Sequence, residues 1–152
     1  MLNISVVCVG NLKEKFSQDA EKEYLKRLSK FAKVNVIELK EQNKLVNLML
    51  IKEKEGEEIL ENLSTFNVLC DLGGKSLSSE EFANSIEKLT LTNSKITFVI
   101  GGSYGVSEKV KNACQMKISF SKMTFPHNLF RIMLLEQIYR AFTILNGINY
   151  HK

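Results

Sequence analysis

Short apolar segments of strand type alternate along this chain with longer segments of helical period, and this alternation restricts the possible folds more than any other feature. The strand-like segments are residues 4–9, 34–39, 67–70 ending at Asp71, 96–100 and 116–120. Helical spacing lies between them, at residues 17–29, 45–63, 78–89 and 107–113, and again at 128–146. Such alternation predicts an α/β fold, in which a mostly parallel sheet carries helices on both faces. With no linker or repeat, residues 1–152 are predicted to form one domain.

Local signals mark the ends of several predicted helices. Ser78 and Glu81 have the spacing of a capping box, in which each side chain satisfies a backbone donor of the other residue. Ser107 and Asn128 stand where the caps of the fourth and last helices are expected. Gly147 is the expected C-terminal stop of the last helix.

Composition excludes several classes of protein. The net charge of +4 favours an anionic partner only weakly, and the early cluster of basic residues is equally well explained as a solvated helix face (Lys13, Lys15, Lys22, Lys26, Arg27, Lys30 and Lys33). The three cysteines lack zinc-ligand spacing, so no metal site is expected. No apolar segment approaches the roughly 18 residues of a membrane span, and the apolar run at residues 4–9 is too short for the core of a signal peptide. A cytoplasmic protein is predicted.

The last helix is apolar almost all the way round. A helix at the surface of a monomer shows one apolar stripe, whereas this helix needs cover on two sides. The sheet can cover one side, and we expect a second copy of the chain to cover the other in a homodimer. The alternative is a helix buried within one domain.

Two glycine pairs resemble nucleotide-binding turns. Residues 101–105 read Gly-Gly-Ser-Tyr-Gly after the most apolar strand, but the GGxxG spacing and the absence of an acidic residue about twenty positions later argue against NAD. Residues 73–76 read Gly-Gly-Lys-Ser, but Leu69 stands where a phosphate loop requires glycine. Both pairs are otherwise expected in tight strand-to-helix turns. For Gly101 and Gly102 we favour a backbone that approaches a ligand.

Three residues of the last helix, the histidine that precedes its expected cap and one residue of the tail are candidates for chemistry. His127 follows Pro126 at the helix start, where it either orients the turn or acts as a general base. Arg131, Glu136 and Arg140 interrupt the apolar helix; the last two are four residues apart and are predicted to pair. Buried charges of this kind also suit RNA phosphate or a reacting base. The tail, with Tyr150, His151 and Lys152, is either frayed or suited to stacking on an unpaired base.

Taken together, these segments resemble a known family over essentially the full length of the chain. The matching blocks are residues 6–13, 54–56, 100–105 and 119–127, then Arg131, residues 136–141 and the ending 150–152. They are similar to the SPOUT-class methyltransferases of large-subunit ribosomal RNA, the 23S pseudouridine N3-methyltransferases. Cys70, where an aliphatic residue is familiar, and Tyr104, in a variable slot of the glycine turn, are the departures.

The resemblance implies a SPOUT fold with a C-terminal trefoil knot, a homodimer, and S-adenosylmethionine bound among three loops. By position, the cofactor-binding residues are Cys70 in the first loop, the glycines of the second, and the third loop in full (Gly101, Gly102, Gly105, Phe120, Ser121, Lys122, Met123, Thr124 and Phe125). Because the cofactor carries the activated methyl group, no metal is required.

The implied reaction is methylation of N3 of a pseudouridine in 23S ribosomal RNA, on the assembled ribosome. The imide proton must leave, and His127, Glu136 or a tail residue such as His151, from either subunit, can accept it, while Arg131 or Arg140 can stabilise the developing anion. The sequence does not choose among them. The alternatives are a SPOUT methyltransferase with another RNA target, a non-catalytic nucleotide-sensing α/β module, and a purely structural dimer.

Overall fold

The computed structural model describes residues 1–44 and 47–152, and in these ranges strands and helices alternate as predicted. The strands are β1 (Leu2–Val9), β2 (Ala32–Leu39), β3 (Phe66–Ser76), β4 (Lys95–Ile100) and β5 (Met116–Ser119). The helices are α1 (Lys15–Leu28), α2 (Leu48–Glu61), α3 (Ser79–Thr90), α4 (Glu108–Ala113) and α5 (His127–Leu145).

The five strands form one sheet in the order β2-β1-β4-β3-β5, and every neighbouring pair is parallel. The carboxyl ends of all five strands therefore lie along the same edge. The predicted α/β fold with a parallel sheet is confirmed. The knotted path implied by the resemblance stays a prediction.

Alternating side chains of the central strands form two cores, one on each face of the sheet. Val6 and Phe98 point to the face covered by α1, α3 and α5, whereas Val7 and Val99 point to the face covered by α2 and α4. All four side chains are buried. A strand buried on both faces must be apolar throughout, which explains the unbroken apolar runs of β1 and β4.

Strand β3 is longer than its apolar segment. It continues past Asp71 to Ser76, with an irregularity in its pairing with β5 between Cys70 and Lys75. Gly73 and Gly74 thus lie within the strand, and the predicted tight turn at this pair is wrong. A Cβ on Gly74 would stand 2.6 Å from the Ile118 backbone. Glycine is required because two backbones approach closely here.

The helix caps agree with the sequence except at α5. Ser78 and Glu81 form the capping box, Ser107 caps α4, and Gly147 has the left-handed φ of +65° after α5. The Asn128 prediction is wrong: α5 begins at His127, and its N-cap position is taken by Pro126, two residues before Asn128, without a side-chain cap. The predicted start of the second helix at Leu45 lies outside the described residues; α2 is described from Leu48, with Asn47 as its cap.

Helix α5 packs between α1 and α3 on the sheet, which buries much of its surface. A second stripe, at the three-to-four residue spacing of one helix face, stays half-buried or exposed (Leu129, Ile132, Met133, Glu136, Arg140 and Ile144). We call these six residues the α5 stripe. The core of the described chain therefore covers only one side of this apolar helix.

Candidate functional site

Three segments that follow neighbouring strands meet at the carboxyl edge of the sheet. Strands β4, β3 and β5 are adjacent, and the segments after residues 69, 100 and 119 enclose a cavity of about 560 Å³. Nine of the ten predicted cofactor-binding residues line it, namely Cys70, Gly101, Gly102, Gly105, Phe120, Ser121, Met123, Thr124 and Phe125. Lys122 is exposed and is not among the lining residues. The fold therefore brings the predicted residues together, and their role in binding remains a prediction.

The glycine turn is held by its own packing. The Gly105 amide donates to the Gly102 carbonyl at 3.1 Å, and Gly105 has a left-handed φ of +85°. A Cβ on Gly101 would lie 2.6 Å from Cγ1 of Val106. The Cβ direction at Gly101 is thus filled by protein, so close packing within the turn already requires glycine there, before any ligand is considered. The wall that the turn presents to the cavity is largely main chain.

A buried carboxylate that the sequence interpretation missed supports this turn from behind. Glu55 of α2 is 3% exposed, accepts a hydrogen bond from the Gln42 amide at 3.0 Å, and has Oε1 2.8 Å from the Cβ position of Gly102. Burial raises the pKa of Glu55; the Gln42 hydrogen bond opposes the shift, and the charge of Glu41 adds to it. Glu41 in turn accepts a hydrogen bond from the Ser103 hydroxyl at 2.8 Å. The available signal was that Glu55 sits on the buried stripe of α2, four residues from Ile51 and from Ile59.

The segment after β5 forms the opposite wall through local hydrogen bonds. The Ser119 hydroxyl donates to the Ser121 carbonyl at 2.9 Å, and the Ser121 hydroxyl accepts from the Met123 amide at 3.0 Å. The Phe120 ring packs on Phe130 with centroids 4.6 Å apart. This aromatic pair anchors the wall to α5.

Cys70 contributes an inert side chain to the cavity. Burial raises the pKa of its thiol well above the ordinary value. The thiolate is the reactive form of cysteine, so at neutral pH the side chain acts as a small apolar surface. Replacing the familiar aliphatic residue by cysteine keeps that surface.

His127 lies on the cavity at the first residue of α5. Its ring packs against the turn that follows β1, where Gly10 has a φ of +105° and its Cβ position is 3.1 Å from Nε2. The Gly10 amide donates to the Leu39 carbonyl at 2.7 Å and fixes that turn. Of the five predicted catalytic residues, His127 is the one that lines this cavity.

Arg131 is buried on α5, does not line the cavity and is already paired. Its guanidinium donates to Glu21 at 2.8 Å and to Glu38 at 2.6 Å, and its side chain is 3% exposed. Burial alone would lower the pKa of Arg131; the hydrogen bonds with the two carboxylates outweigh it and raise the pKa. A third contact joins Nη1 to Cys8 Sγ at 3.3 Å, and burial raises the pKa of that thiol to about 11. These contacts fasten α5 to α1 and β2.

The remaining candidates form a separate cluster on the second half of α5. Glu136 pairs with Arg140 at 2.6 Å, as predicted. Arg140 also contacts His151 Nδ1 at 3.1 Å, and His151 Nε2 lies 2.7 Å from Glu80. Because arginine only donates, Nδ1 must accept, and the Nε2 proton then points to Glu80. The hydrogen bond from His151 lowers the pKa of Glu80.

The C-terminal tail is docked rather than frayed. Arg140 stacks on the Tyr150 ring at 4.8 Å, and Tyr150 packs edge-on against Tyr139 with centroids 4.9 Å apart. Neither the tail nor the Glu136–Arg140 pair lines the cavity of its own subunit. Within one subunit, the five predicted catalytic residues therefore lie in three different places. His127 lines the cavity, and Arg131 is buried in ion pairs. Glu136, Arg140 and His151 form a cluster away from the cavity.

Residues 1–44 and 47–152, which the structure describes, contain no group of three or more histidine, cysteine, aspartate or glutamate side chains placed to hold a metal ion. In the same ranges, none of the helices combines the length and the apolar character needed to cross a membrane.

Comparison with known proteins gives full-length matches. The family model described as predicted SPOUT methyltransferase matches residues 2–151. A protein of Clostridium botulinum (strain Kyoto / Type A2) named ribosomal RNA large subunit methyltransferase H is 54% identical, over 99% of this chain and 100% of its own length. A protein of the same name from Fusobacterium nucleatum is 48% identical with the same coverage.

Two solved structures share the fold at low identity. A tRNA (m1G37) methyltransferase from Aquifex aeolicus superposes with a TM-score of 0.57 and 16% identity, covering 91% of this chain and 69% of that one. A probable methylase family protein from Haemophilus influenzae Rd KW20 superposes with a TM-score of 0.57 and 14% identity, covering 99% of this chain and 71% of that one. At such identities the likeness establishes the fold alone.

Proposed function

This chain belongs to the SPOUT methyltransferase family, and from that premise we propose that it transfers a methyl group from S-adenosylmethionine to N3 of a pseudouridine in 23S ribosomal RNA, in the cytoplasm on the assembled ribosome. The observation that carries the proposal is the meeting of three strand-end segments in one cavity. The relatives' names, which specify ribosomal RNA of the large subunit, support the substrate class.

The residues present fit S-adenosylmethionine. The cavity volume of about 560 Å³ is within the range of small-molecule sites, and its walls are mostly apolar with main-chain groups at the glycine turn. The packing that forces glycine at residues 101 and 102 keeps side chains out of that wall. Backbone groups of residues 101–105 and 120–125 would hold the polar parts of the cofactor, while Leu69, Ile100 and Phe120 would pack on its adenine. When bound, the cofactor supplies a methyl group activated by a sulfonium.

His127 is the residue we assign to the imide proton. Methylation at N3 requires that the N3–H proton leave, and His127 is the titratable group among the predicted catalytic residues that faces the cavity. Its unprotonated nitrogen would accept the proton as the N–C bond forms. Packing of the ring against Gly10 restricts its orientation, which favours a defined hydrogen bond to the substrate.

A homodimer would bring the second cluster to the reaction. The α5 stripe is the uncovered side of an apolar helix, and a two-fold partner would bury it. Glu136, Arg140 and His151 lie away from the cavity of their own subunit, so a catalytic role for them requires the partner's cavity. We expect a dimer in sedimentation at micromolar concentration. Ile132→Glu on the α5 stripe should produce monomers. Leu91→Glu, at an exposed position after the last residue of α3, should leave the dimer intact.

Two measurements test the proposal. Calorimetry should show binding of S-adenosylmethionine and no binding of ATP or NAD; the reverse result would favour a nucleotide-sensing module. Mass spectrometry of ribosomal RNA from a deletion strain should show the loss of one methyl group on one pseudouridine. Loss of a methyl group from another nucleotide would keep the enzyme class and change the target.

A further inference from the structure

An exposed aromatic ring stands between two exposed lysines at the start of α1. The Phe16 ring is 74% exposed, and Lys13 and Lys15 are exposed as well. The proposed reaction leaves these residues without a role, and they do not contribute to either core. An exposed phenylalanine keeps apolar surface in water, so the ring does not stabilise the fold and is available to a partner.

The surrounding segment is held firmly. Leu12 is buried, its amide donates to Glu38 at 3.2 Å, and its carbonyl accepts from Gln18 at 2.8 Å. Ser17, the next residue after Phe16, is buried. The ring therefore projects from an ordered backbone, and a partner would bind it without first ordering that backbone.

Two contacts place Phe16 at the cavity end of the molecule. Glu21 pairs with Arg131, and Arg27 lies over the Tyr139 ring at 5.7 Å, so α1 and α5 run side by side in the same direction. Extending this alignment back by one turn sets Phe16 level with His127, the first residue of α5. The turn that precedes Phe16 touches His127 through Gly10.

The charge of this surface is mixed but favours an anion. Glu14 lies between Lys13 and Lys15, and the ion pairs found among the described residues involve neither lysine. Lys122, on the segment that forms the other wall of the cavity, is exposed too. Lys122 thus lies on a segment that lines the cavity, whereas Lys13 and Lys15 follow the turn that packs against the cavity residue His127 through Gly10.

We propose that Phe16 is a stacking platform for an unpaired base of the RNA substrate next to the target nucleotide, and that Lys13 and Lys15 hold the adjoining phosphates. The inference rests on the proposed function and adds where the RNA lies. Single-stranded RNA is recognised through aromatic rings that stack on bases, with cations along the backbone, and this surface offers both. A second copy of the chain fits less well, because the lysines of two copies would meet across a two-fold axis.

The first test measures binding of ribosomes from a deletion strain, independently of methylation. Phe16→Ala should weaken binding by about 5- to 150-fold, the range for loss of one base–aromatic stack. Phe16→Trp should bind within about threefold of the unaltered protein, because any aromatic face can stack. Leu91→Ala is the matched control, since Leu91 is 80% exposed at the opposite edge of the sheet. All three variants should bind S-adenosylmethionine normally.

The second test is the salt dependence of the same binding. Lys13→Gln and Lys15→Gln should each lower the slope of log K against log salt by about 0.7, as expected for one phosphate contact on a single strand. Lys95→Gln, at the far end of β4, should leave the slope unchanged.

The outcomes separate this inference from the proposed function. If ribosomes are methylated and Phe16→Ala binds them normally, the inference is wrong and the function stands. If Phe16→Ala changes the sedimentation coefficient, a second subunit covers the ring and the inference is again wrong. If ribosomes bind without being methylated, the proposed function is wrong, and weaker binding by Phe16→Ala still supports Phe16 as a contact for RNA. If ribosomes do not bind at all, the inference about Phe16 and the proposed function are both wrong.

Discussion

At the scale of single residues, buried charges hold the framework of the cavity. Arg131 and Glu55 are each 3% exposed or less: Arg131 ties the first part of α5 to α1 and β2, and Glu55 lies behind the glycine turn. A buried charge is tolerated only when it has hydrogen-bond partners: Arg131 donates to two carboxylates, and Glu55 accepts from the Gln42 amide. Their contacts assign them to positioning the site, which is separate from contact with the reacting atoms.

Arg131→Met should lower the free energy of unfolding by about 3 kcal/mol, because it leaves Glu21 and Glu38 without their shared cation. Denaturant unfolding at neutral pH measures this. Arg27→Met, which breaks an exposed pair with Glu23, should change stability by less than about 1 kcal/mol. A direct role for Arg131 at the reacting atoms would instead appear as a lost turnover rate in a variant of near-normal stability.

Glu55 should make stability depend on pH. Burial raises its folded-state pKa above the unfolded value, so its contribution is fully present below the unfolded pKa and is lost as pH rises through the folded pKa. Glu55→Gln keeps an acceptor for the Gln42 amide and removes the titration, so its stability advantage over the unaltered protein should grow with pH above the ordinary carboxyl range.

Glu55→Ala provides the contrast. It leaves the Gln42 amide unsatisfied and should cost about 1–3 kcal/mol. The free energy of unfolding of both variants, measured in urea between pH 4 and pH 8, tests this prediction. If the free energies of Glu55→Gln and of the unaltered protein change in parallel with pH, the titration does not belong to Glu55.

At the scale of elements, the adjacency of β4, β3 and β5 creates the site. Segments far apart in sequence emerge side by side because their strands are neighbours in a parallel sheet. The glycine turn is the least adaptable of them, since its Cβ directions are filled by protein atoms.

Gly101→Ala should therefore displace the turn and weaken binding of S-adenosylmethionine by at least about tenfold, while the fold persists. The added methyl group meets Val106 Cγ1 at 2.6 Å and the Gly105 backbone at 3.2 Å. Combining it with Val106→Ala relieves the first contact but not the second, so affinity should recover in part. Calorimetry on both single variants and the double variant measures the coupling. Additive effects would show that the two residues act independently.

At the scale of the whole molecule, the cavity and the tail cluster lie at different places on one subunit. The proposed dimer would join them across the two-fold axis. The tail is well docked, through Tyr150 on Arg140 and through His151 on Glu80. Its contacts hold Arg140 and Glu136 in fixed geometry, next to the α5 stripe.

Deletion of residues 150–152 should spare binding of S-adenosylmethionine and reduce methyl transfer to ribosomes, because the tail is remote from the cavity of its own subunit. Single-turnover methylation and calorimetry on the same preparation separate the two effects. His151→Ala is the milder form and should reduce transfer in the same direction. Normal methylation by the truncated protein would exclude the tail from the reaction.

The sequence alone determined the order and type of the elements and the parallel sheet, whereas the three segments that line the cavity were assigned through the resemblance to a known family. It could do so because hydrophobic period and turn residues are local, and because parallel strands send their carboxyl ends to one edge. The caps at Ser78 and Ser107 could also be predicted from the sequence, whereas the Asn128 cap could not, because helix ends shift by one or two residues with tertiary packing.

Only the tertiary structure decided which charges meet. The partners of Arg131 lie 110 and 93 residues away in the chain, and Glu55 supports a turn that follows it by more than forty residues. No local pattern encodes such pairings, since they depend on which helix covers which strand. The same holds for Gly74, whose requirement comes from the Ile118 backbone. The hydrophobic period of a segment determines whether it forms a helix or a strand, and tertiary packing determines which residues its side chains contact.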